Sequence, residues 1–243
     1  MEQKQTFDKL VAEHFPGSLP QEHLVRRAAV TLIRDHGFSP INTLPCVGTC
    51  RDELCGQLFD EVENMWGEAF DLSSLAGILT IGRTGFAAAQ AHAPVVGGRS
   101  RYVFFLFSHL GISAEGELGV ARRPGREKPS AACGALVALL NEKRSQEDNP
   151  RLEWQDPEQS LLRMRIRRIH ELSEPPDLLE LTKAVHKATL EDLRNLMSDV
   201  FDRQREDYAV IAGVQIHGPE GVQLAWPGAS YVVVEGTRSE IWF

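Results

Sequence analysis

The stretch Tyr102-Val103-Phe104-Phe105-Leu106-Phe107 decides the fold. Six aromatic or branched apolar residues with no polar interruption do not alternate as a half-exposed strand would, and six is short for a buried helix. The run predicts a strand covered on both faces, as inner strands of parallel sheets are. It ends at Ser108-His109, which places a histidine at the strand's carboxyl end.

Toward the N-terminus, Phe7, Leu10, Val11 and Phe15 recur at helical spacing. Leu24, Val25, Ala28, Ala29, Leu32 and Ile33 form a second amphipathic stripe between Pro20 and His36, stopped by Gly37. Residues 1–38 therefore read as a helical segment. Pro40 and Pro45 frame an extended piece that delivers the chain to Cys46-Val47-Gly48-Thr49-Cys50. From Arg51 onward, Leu54, Cys55, Leu58, Phe59, Val62, Met65 and Trp66 predict a helix, with Thr49 as N-cap and Asp52 completing the capping-box spacing. Leu75 to Pro94 is rich in Gly and Ala and reads as short, closely packed helices.

Toward the C-terminus, a charged loop from Arg122 to Pro129 precedes Ser130-Ala131-Ala132-Cys133-Gly134, where a helix begins and runs to about residue 143. A polar surface connection over 145–157, helices over 158–171 and 176–203, and β segments at Tyr208–Ile216, Tyr231–Val234 and Ile241–Phe243 complete the reading. Helices on either side of one very apolar strand, with strands at the end, predict an α/β fold: a single domain over 1–243 with a central, mostly parallel sheet flanked by helices. The β segments of 207–243 belong to that domain.

Composition narrows the function classes. Hydrophobic residues make up 42% and charged residues 25%, values of an ordinary globular chain. With 26 Lys plus Arg against 34 Asp plus Glu, the net charge is −8. An acidic surface is a poor partner for nucleic acid or for an anionic membrane, so neither is expected as a partner. MEQKQTFDKL has no apolar core run, and no stretch approaches the ~20 apolar residues of a membrane span. The expected compartment is the cytoplasm.

Of the four cysteines, Cys55 lies on an apolar helical stripe and reads as a packed core thiol. His14, His23, His36, His170 and His186 fall on or near polar helix faces, while His217 sits at a strand end. Cys50, His109 and Cys133 share another property, since each lies at a junction between elements. Such junctions gather at the carboxyl edge of an open parallel sheet, where ligands bind. Two thiols and an imidazole form a soft donor set suited to zinc, with a fourth position left for water. The long spacings lend no zinc-finger arithmetic, and three unrelated buried polar residues fit them too. A thiol-redox role for Cys46 and Cys50 is weaker, because the spacing is Cys-x-x-x-Cys.

Several ordered stretches carry a resemblance. They are Cys50-Arg51-Asp52-Glu53, the run from Ala69 to Gly77, Gly85-Phe86-Ala87-Ala88-Ala89 through Pro94, Ser108-His109-Leu110-Gly111-Ile112, Arg123-Pro124-Gly125-Arg126, Ser130 to Leu136, Gly213 to His217 and Trp226 to Tyr231. Over about residues 40–235 the chain resembles the limiting-CO2-inducible protein B/C (LCIB) family, also called theta-class carbonic anhydrases. Its length and the lack of a transit peptide suggest a bacterial-like cytoplasmic form.

The resemblance implies a fold like the β-class carbonic anhydrases and Zn2+ held by Cys50, His109 and Cys133. It also implies reversible hydration of CO2 to bicarbonate, and a homodimer by analogy. The β class pairs an aspartate with an arginine in Cys-x-Asp-x-Arg, but here Leu54 stands where that arginine would be. Asp52 carries over as the catalytic carboxylate, with Arg51 as its nearest candidate partner and Arg83 or Arg99 as alternatives; a cap role for Asp52 is the plain alternative. A closed site would have Asp52 on the metal itself. Phe86 and Phe104–Phe107 are expected to line a CO2 pocket, and His92 is the candidate proton carrier. A non-catalytic zinc protein that binds CO2, bicarbonate or a partner protein is the alternative function.

Overall fold

The computed structural model describes residues 6–142, 151–169 and 176–243. Helix α1 (Phe7–His14), strand β1 (Leu19–Pro20) and helix α2 (Gln21–His36) lead to strand β2 (Thr43–Gly48). Helix α3 (Gly56–Trp66), strand β3 (Phe70–Asp71), helix α4 (Gly82–His92) and strand β4 (Val95–Val96) precede the long strand β5 (Arg99–Gly111). The short strands β6 (Val120–Ala121) and β7 (Ser130–Ala131) pair with each other, then come helices α5 (Gly134–Asn141), α6 (Pro157–Ile166) and α7 (Leu178–Val200). Strands β8 (Glu206–His217), β9 (Gln223–Val234) and β10 (Thr237–Glu240) close the described chain.

The main sheet runs β1-β9-β8-β5-β2-β3, with β10 on β9 and β4 on β5. Strands β3, β2, β5 and β8 are mutually parallel, with β3 at the edge, and β9 pairs antiparallel with β8. The apolar run sits in β5 as the sequence predicts. Val103, Phe105 and Phe107 pack among residues of α2 and α3, including Leu24, Leu58 and Trp66. Tyr102, Phe104 and Leu106 pack on the opposite side with Phe86 of α4 and with Leu193 and Leu196 of α7. Alternate side chains of one strand thus serve two cores, which is why the run shows no polar interruption. A third core at the carboxyl edge joins α1, α5, α6 and the first half of α7 to Leu110, Val214, Ile216, Cys50 and Cys133.

Helix α7 opens on a capping box. The Asp177 side chain accepts from the Glu180 backbone N–H at 2.7 Å, and the Glu180 carboxylate accepts from the Asp177 N–H at 3.0 Å. Three local expectations are corrected. Thr49 does not cap α3: its hydroxyl faces Ser73 and the Cys50 carbonyl, while Asp52 caps a short 3-10 turn, Glu53–Cys55, by accepting from the Leu54 N–H at 3.1 Å. The terminal strand is Thr237–Glu240 rather than Ile241–Phe243, because Glu235 and Gly236 both take positive φ and make the tight turn that folds β10 back on β9. His186 is buried against the Trp226 ring, since most of α7 is enclosed. His170 and residues 143–150 lie outside the described residues. None of the described helices is long and apolar enough to cross a membrane.

Candidate metal centre

Strands β2, β5 and β8 end side by side, and the candidate donors collect there. Cys50 follows β2 by two residues and bridges in parallel to Ser74. The turn Leu75–Gly77 closes over it. Gly77 takes φ +79°, and a Cβ there would stand 2.6 Å from the Phe107 carbonyl oxygen, so only glycine lets the turn approach this closely. That approach aims the Ala76 N–H at Cys50 Sγ, 3.2 Å away. His109 lies near the end of β5. Cys133 reaches the same point because Gly111, without a Cβ, admits the Val120 carbonyl and Ala132 against the strand; its N–H donates to the Ala132 carbonyl at 2.9 Å.

Cys50, His109 and Cys133 have donor atoms within 4.8 Å of one another, and all three are buried. Cys50 Sγ and Cys133 Sγ lie 3.7 Å apart. The Cys133 thiol donates toward Cys50 and, with His109 nearby, pulls the Cys50 pKa down to about 4 against the effect of burial. The same contact pushes Cys133 up, so in the metal-free protein Cys50 is the thiolate and Cys133 keeps the proton.

The protonation of His109 follows from its neighbours. The Gln223 amide oxygen lies 2.5 Å from His217 Nδ1, and an oxygen only accepts, so that nitrogen carries hydrogen. Burial pushes the His217 pKa down to about 3 and keeps the ring neutral. His217 Nε2 is therefore an acceptor, and it stands 3.1 Å from His109 Nδ1, which donates. In the neutral ring that metal binding requires, the remaining lone pair of His109 is on Nε2. This buried atom has no hydrogen-bond partner among the described residues. A bare imidazole nitrogen beside a thiolate and a thiol fits a soft cation such as zinc, and the His217–Gln223 chain is the outer hydrogen bonding that orients a metal-binding histidine. A second group within 4.8 Å, Cys55, His109 and His217, has its two imidazoles already hydrogen-bonded to each other, and burial pushes the Cys55 thiol up.

Asp52 stands beside this set and in neither group. Its Oδ2 is 4.0 Å from His109 Nε2, and both carboxylate oxygens lie 2.8 Å from Arg123 Nη2. Arg123 comes from the loop between β6 and β7 and also binds Glu53 and the Ser130 hydroxyl.

The arginine expectation is therefore corrected. Arg51, 57% exposed, points away and pairs with Glu158 at 2.8 Å. Arg83 pairs with Asp199, and Arg99 with Asp207. Arg123 belongs to a stretch already marked by the family resemblance, but nothing local ties it to Asp52, 71 residues earlier. Gln223 carries no sequence signal at all. Phe86 and Phe104 pack in a core separate from the one containing Cys50 and Cys133, so they do not line this site. His92 is exposed at the end of α4 and rests on Phe70. Cys46 and Cys50 also fall in different cores, which separates the proposed redox pair.

Known structures resemble this chain over nearly its whole length. The crystal structure of limiting CO2-inducible protein LCIB is similar at 33% identity, covering 98% of this chain and 99% of that one, with a TM-score of 0.81. The crystal structure of PtLCIB4, described as a homolog of LCIB, is similar in fold at 24% identity, with 96% and 98% coverage and a TM-score of 0.79. No curated protein matches significantly. The family model for limiting CO2-inducible proteins B/C, described as β carbonic anhydrases, matches residues 18–234, and the chain belongs to that family.

Proposed function

We propose that this protein is a zinc-dependent carbonic anhydrase that interconverts CO2 and bicarbonate. The observation that carries the reading is the bare, buried Nε2 of His109 beside two thiols, with an arginine-held carboxylate 4.0 Å away. Cys50, His109 and Cys133 would hold the ion. A zinc ion on three protein donors supplies a water whose pKa falls to about 7 and which is therefore nucleophilic at neutral pH.

The remaining work falls to the protein. Asp52 accepts a hydrogen bond from the attacking water and so turns a lone pair toward the CO2 carbon. Arg123 and the Leu54 N–H hold that carboxylate in place and away from the metal donors, which is the arrangement of an open site. The Ala76 N–H fixes the Cys50 sulfur, and His217 fixes the His109 ring. Arg51, tied to Glu158, takes no part in this scheme.

The test is stopped-flow CO2 hydration with and without a chelator, on wild type and Asp52→Asn. Activity should disappear with the metal. The variant should keep zinc and the local turn, because Asn caps as well as Asp, at a stability cost of about 1–3 kcal/mol from the weakened Arg123 pair. It should lose about 10²-fold in rate, the scale of a positioned acid–base group. Stoichiometric zinc without hydration in the wild type would instead assign a binding role, with CO2, bicarbonate or a partner protein as the ligand.

A further inference from the structure

The opposite end of the sheet holds a different kind of site. Where β8 begins, on the order of 35 Å of strand away from His217, the last turns of α7 and the β9–β10 hairpin enclose a pocket of about 260 Å³. Three guanidinium groups line it: Arg194 on α7, Arg203 in the turn that follows, and Arg238 on β10. Arg194 and Arg203 make no ion pair with any described residue. Arg238 is held by Glu240 and lies flat over the Tyr231 ring, 3.8 Å from its centroid. In a chain of net charge −8, that local excess of cations stands against the overall field.

The pocket's own acid, Glu206, offsets part of this positive charge, but its oxygens are engaged as acceptors. Glu206 already accepts from the Tyr102 hydroxyl at 3.0 Å, the Gln90 amide at 3.0 Å and the Asp202 N–H at 2.7 Å. The phenols of Tyr208 and Tyr231 also line the pocket. The Tyr231 ring is mostly buried, and neither its hydroxyl nor that of Tyr208 is a buried orphan, so both are open to solvent at the pocket and free to donate to a ligand.

We infer that this pocket binds the phosphate of a small phosphomonoester. Two uncommitted guanidinium forks and two phenol donors suit a tetrahedral dianion, which accepts several charge-assisted hydrogen bonds at once. The aromatic walls and the volume leave room for a short organic group beside the phosphate. The inference is independent of the carbonic anhydrase reading, since no residue is shared.

The test is isothermal titration of the full chain with glycerol 3-phosphate at pH 7.5 and constant ionic strength, with sodium chloride as the control. Saturable one-to-one binding is expected from the ester and none from chloride. The double variant Arg194→Gln/Arg203→Gln should bind at least about tenfold more weakly, and Tyr231→Phe about three- to tenfold more weakly. Both arginines are exposed and make no ion pair with any described residue, so unchanged melting curves will separate lost binding from lost fold. Absence of saturable binding by wild type, or equal affinity in the double variant, would overturn the site. Inorganic phosphate binding as tightly as the ester would overturn the ester assignment. Sedimentation with phosphatidic acid vesicles but no binding of the soluble ester would replace it with a lipid headgroup.

Discussion

Replacing His217 with phenylalanine keeps a buried ring beside His109 but removes the acceptor of the 3.1 Å bond from His109 Nδ1. Both histidines are buried, so the stranded N–H would cost about 1–3 kcal/mol. The metal-free protein has an escape: the proton moves to Nε2, which then faces the Asp52 carboxylate 4.0 Å away. The metal-bound protein has no such escape, because Nε2 is engaged. The difference therefore falls on metal affinity, about 1.4–2.8 kcal/mol or 10- to 100-fold, the range seen when outer hydrogen bonds to metal-binding histidines are lost. The assay is competition for zinc against a chromophoric chelator, with thermal melting to report the fold. Gln223→Leu frees the His217 tautomer without removing the ring and should weaken zinc by a smaller factor. A folded His217→Phe protein whose zinc affinity stays within about threefold of wild type would refute the tautomer argument.

The other outcomes are more direct. Cys50→Ser, His109→Ala and Cys133→Ser should each abolish stoichiometric zinc by metal analysis, because two remaining donors cannot offset desolvation of the ion; Cys46→Ser and Cys55→Ser should keep it. Stability should decline in acid. Burial, then Lys187, pushes His186 down to about pKa 4, so below pH ~6.5 the unfolded chain takes up a proton that the native protein refuses. Stability is full above that pH and falls as pH drops toward 4, and His186→Phe should flatten this limb of the melting profile.

How much of this was legible in the sequence depends on the range of each interaction. The apolar run at 102–107 declared a strand buried on both faces, because side-chain period and burial are written locally. The same holds for α2, whose apolar stripe and Gly37 stop are local. Cys50, His109 and Cys133 were readable as junction residues, since a parallel sheet brings the ends of its strands to one edge whatever the loops do. The choice of Arg123 over Arg51 for Asp52 was not readable. Local spacing favours Arg51, but the turn at Glu53 aims that side chain outward to Glu158, while the β6–β7 loop brings Arg123 across 71 residues of chain. His217 and Gln223 acquire their part only when β8 aligns with β5 and the chain turns into β9, setting two imidazoles and an amide in one buried row. Composition and period determine which segments are buried and in what form; the direction of each polar side chain inside that buried space is decided by packing between distant segments.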